Sequence, residues 1–152
     1  MKYYCLFFLI CISACEQTNK TGNKKPGDNN GSPGDIIPAT RVTVNNNPVA
    51  SYSVPMGDPR LDRKFGVEIY ETKYTFRYLL VMQYDGMIQT DTLKLPNFDT
   101  WPVVKVKPGK EKLSCIIGFM DKKNDFREYK MLTAKNDKLK LIVLNGYVVS
   151  EY

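Results

Sequence analysis

The chain contains 152 residues, of which 22 are Lys or Arg, 16 are Asp or Glu and none is His, so its formal net charge is +6 at pH 7. This length suits about one domain. The lack of imidazole excludes Ser-His and Cys-His nucleophilic pairs, His-ligated zinc and a His pH switch. Most familiar enzyme sites are thereby removed, and we expect a protein that is not an enzyme and that needs no metal and no cofactor.

The first 15 residues have the pattern of an export signal. Lys2 supplies a basic start, Tyr3–Ile12 is an apolar run, and small residues then lead to a cysteine. The run is too short to span a bilayer, which argues against an uncleaved anchor. The segment Ile12-Ser13-Ala14-Cys15 resembles the bacterial lipobox, whose cysteine becomes the lipidated first residue of the mature chain. The resemblance implies a signal peptide at residues 1–14, lipid on Cys15, and a place in the Gram-negative cell envelope, at the outer membrane.

The next segment, residues 15–34, differs sharply in composition from the rest of the chain. From Glu16 to Gly34 it contains no Ala, Val, Ile, Leu, Met, Phe, Trp, Tyr or Cys. Such a segment cannot bury apolar surface and is expected to be a disordered tether. Fully extended, it would reach about 60 to 70 Å. The folded domain is expected at residues 35–152, with the membrane as a partner through the lipid on Cys15.

The cysteine count follows from the same interpretation. Of the 4 cysteines, Cys5 and Cys11 would leave with the signal peptide and Cys15 would carry lipid, so Cys115 alone remains in the domain. No disulfide within the mature domain is then expected. A lone exposed thiol is a liability in an oxidising compartment, so Cys115 is predicted to be a buried small hydrophobe. The alternative, a catalytic thiolate, lacks a His partner.

Beyond residue 35, short runs rich in Val, Ile, Tyr and Phe alternate with turn signals, a pattern typical of antiparallel strands. Asp85-Gly86 and Asn145-Gly146 predict two-residue hairpin turns with positive φ. Ten strands are predicted, at Arg41–Val44, Val49–Val54, Phe65–Tyr70, Tyr74–Tyr84, Met87–Leu95, Val103–Lys107, Leu113–Met120, Phe126–Thr133, Leu139–Leu144 and Tyr147–Tyr152.

The predicted strand Tyr74–Tyr84 indicates which face points into the core. Its even positions are all aromatic or aliphatic, so this face should be buried. At odd positions, Leu79 and Val81 break the polar alternation, which suggests either cover from a loop or a patch for a partner. Short strands at intervals of about 8 to 12 residues predict an all-β fold, an antiparallel β-sandwich of immunoglobulin-like or transthyretin-like plan.

Basic residues concentrate in the second half of the predicted domain. Between Trp101 and Lys140 the chain has 11 basic and 5 acidic residues, a net charge of +6. Lys105 and Lys107 would share one face of a strand, where they could contact an anionic partner. The alternative is a solvated face that discourages edge pairing. Nucleic acid is disfavoured as a partner, because no recognition motif accompanies the charge and arginine is scarce in this stretch.

One loop, Pro96–Pro102, has an unusual composition. Two prolines stiffen its ends, and between them lie Phe98 and Trp101, the only tryptophan of the chain. An aromatic pair on a rigid loop can stack on sugar rings or anchor a protein partner. Alternatively, Trp101 folds back and caps the core. The sequence therefore nominates Phe98, Trp101, Lys105 and Lys107 as candidate binding residues.

Taken together, these features predict a lipid-anchored envelope protein with a binding or adaptor β-sandwich and no enzymatic activity. By analogy of fold and location alone, it is similar to the accessory lipoproteins of secretion and conjugation machines, which implies an envelope protein as partner. The alternative is an accessory lipoprotein that binds a glycan or another ligand through the aromatic loop. An exposed Leu79/Val81 patch would favour the adaptor, whereas an exposed Phe98/Trp101 pair beside polar groups would favour the ligand binder.

Overall fold

The computed structural model describes residues 36–58 and 60–149, and the predicted signal peptide, Cys15 and most of the tether lie outside them. The described part is all-β, and it contains no helix long and apolar enough to cross a membrane. Its eight strands are β1 (Ala50–Pro55), β2 (Lys64–Glu71), β3 (Arg77–Tyr84), β4 (Met87–Lys94), β5 (Val103–Pro108), β6 (Ser114–Met120), β7 (Phe126–Lys135) and β8 (Lys138–Val143).

The strands form two antiparallel sheets with the orders β1-β2-β3-β4 and β5-β6-β7-β8, which confirms the predicted β-sandwich. Every hydrogen-bonded neighbour is also the next strand in the chain, so each sheet is a meander. The Greek-key connections of immunoglobulin-like sandwiches do not occur among the described strands. Strands β1 and β5 approach each other at one side of the sandwich, and residues 95–102 connect β4 to β5 across one end.

The strand order brings several irregular segments to the same end of the molecule. We define the entry end as residues 36–49, 72–76, 95–102, 121–125 and 144–149. The distal end consists of the turns between β1 and β2, β3 and β4, β5 and β6, and β7 and β8. Because the described residues begin at the entry end, the part of the chain that precedes residue 36 joins the domain there.

Positive φ angles identify the turns of two hairpins. Asp85 (φ 48°) and Gly86 (φ 82°) form the predicted turn between β3 and β4. The turn between β7 and β8 instead uses Asn136 (φ 50°) and Asp137 (φ 55°), both left-handed, as a type I′ turn requires. The predicted hairpin at Asn145-Gly146 was wrong, since the chain has already left β8 there.

Two predicted strands are absent from the described residues. Arg41–Val44 was wrong because these residues form no strand. The isolated bridge nearby joins the preceding residue, Thr40, to Tyr74, and the Arg41 side chain then fixes the segment to the turn between β2 and β3. Tyr147–Tyr152 was wrong for residues 147–149, where the Tyr147 ring packs edge-on against its aromatic neighbours instead of extending a sheet. Residues 150–152 lie outside the described part.

The core lies between the inner faces of the two sheets. From Phe76 to Tyr84 the even positions are buried as predicted, and Tyr74 is half-buried. Tyr84 donates a hydrogen bond to Asp137 Oδ1 at 3.1 Å, which joins the sheets at the distal end. The buried apolar residues of this core are Phe65, Val67, Ile69, Tyr78, Leu80, Met82, Tyr84, Leu93, Leu95, Val104, Cys115, Ile117, Phe119, Tyr129 and Leu132.

A buried arginine fixes the N-terminal segment to the entry end. The side chain of Arg41 is only 6% exposed. Its guanidinium donates to the carbonyl oxygens of Thr72 at 3.0 Å and Thr75 at 2.7 Å. It also donates to the Tyr78 hydroxyl at 2.7 Å and pairs with Glu71 at 3.2 Å. A charge buried this far is tolerated because every direction of the guanidinium fork meets an oxygen.

Candidate interaction surfaces

The linker between β4 and β5 carries the two aromatic candidates, Phe98 and Trp101, and both are half-buried. The Phe98 ring packs on Phe119, with 5.5 Å between the ring centroids, and is attached to the hydrophobic core. Phe119 also contacts Tyr147, with 5.1 Å between centroids. Phe98 therefore closes the entry end of the sandwich. Among the described residues, Trp101 is not one of the partly buried side chains that pack against the core.

The backbone of this linker is held by its own polar groups. Asp99 adopts a left-handed conformation (φ 53°), and its N–H donates to Asn97 Oδ1 at 2.8 Å. Its carboxylate accepts a hydrogen bond from Lys122 Nζ at 3.2 Å. The Tyr78 hydroxyl, which contacts Arg41, donates to the carbonyl oxygen of Pro102 at 3.1 Å. These contacts fix the backbone on both sides of Trp101.

The two lysine candidates, Lys105 and Lys107, are exposed on the outer face of β5, as their spacing predicts. Lys107 Nζ lies 4.1 Å from the centroid of the Phe126 ring, within the range of a cation–π contact. The Phe126 ring in turn lies over Gly118, where an added Cβ would approach the ring to 2.7 Å. The lysine stem and the ring thus cover the middle of the outer face.

The rest of that face is apolar at its centre and basic at its edges. Half-buried apolar side chains occupy the middle strands, namely Ile116, Met120, Phe126 and Met131. Lys138 and Lys140 are exposed on the edge strand β8, and Lys105 and Lys107 on the edge strand β5. Lysines on edge strands discourage pairing with other chains. The exposed lysines of this face therefore fit both alternatives, a solvated face that discourages edge pairing and contact with an anionic partner.

The outer face of the first sheet carries an apolar patch, which we define as Leu79, Val81 and Ile88. Leu79 is 39% exposed and Ile88 65% exposed, whereas Val81 is half-buried. In the sheet register, Leu79 lies opposite Tyr70, and Ile88 lies opposite Gln83. The exposure shows that none of the described loops covers this patch. Of the two alternatives for Leu79 and Val81, the structure thus disfavours cover from a loop.

Two arginine–carboxylate pairs with shifted carboxyl pKa values lie in the described part of the chain. Arg63 pairs with Asp85, and this hydrogen bond lowers the pKa of the Asp85 carboxyl. Arg127 pairs with Asp121 at 2.5 Å, and the backbone N–H of Asp125 is the largest cause of the lowered pKa of Asp121. These are local ion pairs next to turns. No group of three or more Cys, Asp or Glu in residues 36–58 and 60–149 could hold a metal ion.

Cys115 lies in β6 with no exposed surface, as predicted. Burial raises the pKa of its thiol to about 12, although a hydrogen bond with the Leu132 backbone acts in the opposite direction. The thiolate, which is the nucleophilic form, is therefore negligible at neutral pH.

Native protein should accordingly resist thiol reagents at Cys115 and should react after denaturation. Substitution Cys115→Ala should lower the free energy of unfolding by about 1 kcal/mol, because it removes one buried sulfur from a packed site. A time course of alkylation read by mass spectrometry, with and without urea, measures the first effect, and urea titration measures the second. Rapid modification of the native chain would contradict the burial.

Sequence reasoning missed two features of the entry end. The role of Arg41 depends on carbonyl groups that lie 31 to 34 residues away in the chain, and no local pattern marks such a contact. The exposure of Val42 and Val44 was also missed, because Arg41-Val42-Thr43-Val44 alternates as a strand does.

Comparisons with protein-family models, curated proteins and solved structures gave no match to this chain.

Proposed function

We propose that this protein is a lipid-anchored component of the Gram-negative cell envelope and that its β-sandwich is a non-enzymatic adaptor for another envelope protein. The lipobox at Ile12–Cys15 and the apolar-free segment that follows support the anchor and the tether. An accessory role in an envelope machine, such as one for secretion or conjugation, is consistent with a small domain held at the membrane by a long tether.

The observation that carries the adaptor function is the open apolar patch of Leu79, Val81 and Ile88. Neighbouring aliphatic side chains that together form an exposed patch mark a surface that another protein can cover. The Tyr70 hydroxyl beside them donates to Glu68 at 2.6 Å, so a polar rim borders the patch on one side. An apolar centre with a polar rim is the usual composition of a protein interface.

The glycan-binding alternative receives less support from the aromatic loop. Phe98 packs on Phe119 and closes the sandwich, so Phe98 and Trp101 do not form the exposed pair on which that alternative depends. The described depressions are also poor ligand sites. One at the entry end has a volume of about 10 Å³, and the other, of about 340 Å³, is open to solvent beside the turn between β1 and β2.

Site-specific photo-crosslinking in living cells tests the adaptor function. A benzophenone amino acid replaces Ile88 in the full chain, and the same label at Lys105 on the other sheet serves as the comparison. We expect a saturable adduct of one defined mass from position 88 and none from position 105. Adding Leu79→Asp to the labelled chain should reduce this adduct by at least about tenfold, since a central interface side chain often contributes 1.4 kcal/mol or more.

The control for charge is Leu61→Asp, which changes an exposed leucine at the distal end. It should leave the adduct at position 88 unchanged. An adduct that forms at position 105 but not at position 88 would contradict the proposal and would assign binding to the basic face. Formation of equal adducts at both positions would also contradict it, because such labelling would reflect proximity rather than a specific interface.

A further inference from the structure

The most exposed apolar side chains of the described residues lie at the entry end. Ile36, Val42 and Val148 are 94%, 99% and 93% exposed, and the next most exposed large apolar residue, Ile88, reaches only 65%. Five more exposed aliphatic residues lie at or beside this end, at Val44, Val49, Val103, Val143 and Leu144. The apolar patch of the first sheet therefore does not account for the strongest exposure on the molecule.

The fold brings these residues together from three separate segments. Arg41 holds the N-terminal segment against the turn between β2 and β3, next to Val42. The C-terminal segment returns to the same place, where Val149 lines a small depression together with Ala39. The linker that carries Trp101 crosses this end as well, because Pro102 accepts a hydrogen bond from Tyr78. An aromatic ring and several aliphatic side chains thus share one end of the sandwich.

We propose that the entry end rests on the phospholipid bilayer, with Val42, Val148 and the exposed part of the half-buried Trp101 in the headgroup region. Tryptophan favours this region because its ring is apolar and its N–H is polar. Lysines such as Lys73 and Lys123, both exposed at this end, can extend their amino groups to the phosphates. Transfer of exposed aliphatic side chains from water to the acyl boundary is favourable.

The form of the entry end distinguishes a bilayer from a protein partner. Its apolar residues come from several irregular segments, whereas a protein interface needs a continuous surface of matching shape. A fluid bilayer makes no such demand on shape. The orientation also agrees with the proposed anchor, since the tether reaches the domain at residue 36. The inference rests on the proposed function only in this respect, and the sheet faces stay free for a partner.

Quenching of Trp101 by brominated lipid tests this orientation on the full lipidated protein. The protein is reconstituted into vesicles of phosphatidylethanolamine and phosphatidylglycerol, with or without bromine on the upper part of the acyl chains. Because Trp101 is the sole tryptophan, its emission reports one position. We expect brominated lipid to lower the emission about twofold or more, since an interfacial ring lies within roughly 5 to 10 Å of the headgroup boundary.

The matched variants separate contact at the entry end from mere tethering. Val42→Asp combined with Val148→Asp should abolish the quenching while the protein stays with the vesicles. Ile88→Asp, which adds one charge on the sheet face, should leave the quenching unchanged. Equal emission with and without bromine, in protein that sediments with the vesicles, would overturn the inference. Protection of Trp101 from iodide by envelope extract but not by vesicles would also overturn it and would indicate a protein contact.

The result is distinguishable from the outcome of the crosslinking experiment. Quenching that persists without any adduct at position 88 would reject the adaptor function and keep the membrane contact. An adduct at position 88 without quenching of Trp101 would keep the adaptor function and reject the membrane contact. Protein that leaves the vesicles during washing would contradict both the lipid anchor and the proposed orientation.

Discussion

Substitution of Arg41 by Met should lower the free energy of unfolding by about 3 to 5 kcal/mol, the usual effect of removing one partner from a buried ionic network. The methionine fills a similar volume but donates no hydrogen bond. The carbonyl oxygens of Thr72 and Thr75 and the hydroxyl of Tyr78 would lose this donor, and Glu71 would lose its counter-charge. Urea titration of the mature chain, followed by Trp101 emission, measures the change.

A matched control is Arg60→Met. The side chain of Arg60 is 92% exposed, and its contact with Asp58 is 3.9 Å long. Exposed pairs of this kind contribute little, so the change should be less than about 0.5 kcal/mol. If Arg41→Met were as mild as Arg60→Met, Arg41 would not be the group that fixes the N-terminal segment to the sandwich.

Substitution of Cys15 by Ser should abolish lipid attachment and, with it, membrane retention of any chain from which the signal peptide has been removed. Serine has no thiol to accept the lipid, and the apolar-free tether offers no other means of insertion. Metabolic labelling with a fatty acid, followed by fractionation of the envelope, measures both effects. The expected outcome is complete loss of label and accumulation of unprocessed or released protein.

The control for cysteine chemistry is Cys115→Ser, which keeps Cys15 and changes the buried thiol of β6. This variant should incorporate label as the parent does, provided that it folds. Label that persists in Cys15→Ser, or that never enters the parent protein, would contradict the lipoprotein interpretation. The weak residual contact proposed for Val42 and Val148 would not rescue anchoring, because a few side chains bind a bilayer reversibly.

Strand positions could be predicted from the sequence because alternation is a local signal. In β3 the aromatic and aliphatic residues at even positions face the core, and the predicted strand differed from the observed one only at its start. The exposed lysines of β5 followed from the same two-residue period. Where one face is buried and the other solvated, the order of residue types is enough to assign the faces.

Turns and chain ends were harder to predict, because their positions depend on which residues of neighbouring strands pair with each other. Asn145-Gly146 has the stronger chemical preference for a hairpin, yet β8 begins directly after Asn136-Asp137 and ends before Asn145. All of β8 pairs with Lys130–Lys135 of β7, so the strand is complete before the chain reaches Asn145-Gly146. Local preference was thus overruled by contacts between distant parts of the chain, which a single sequence does not reveal.

Some candidate binding residues could be placed from the local sequence pattern, whereas others depend on contacts between distant residues. Lys105 and Lys107 lie where the strand period puts them, whereas the position of Phe98 depends on Phe119, a residue of a later strand. The open patch was indicated by Leu79 and Val81 alone, and Ile88 joined it only through the register between β3 and β4. In β3 and β5 the sequence patterns assigned the faces correctly, but the neighbours across strands required the structure.

Because each sheet is a meander, residues 50–94 and residues 103–143 are two self-contained halves of the molecule. A chain cut within residues 95–102 would leave every ladder of backbone hydrogen bonds intact in its own half. What the cut would release is a pair of complementary apolar surfaces, joined by a few polar contacts such as Lys130 to Asp91 at 3.8 Å. The sandwich is in this sense an intramolecular heterodimer, whose cohesion depends on the fit of two faces rather than on shared strands.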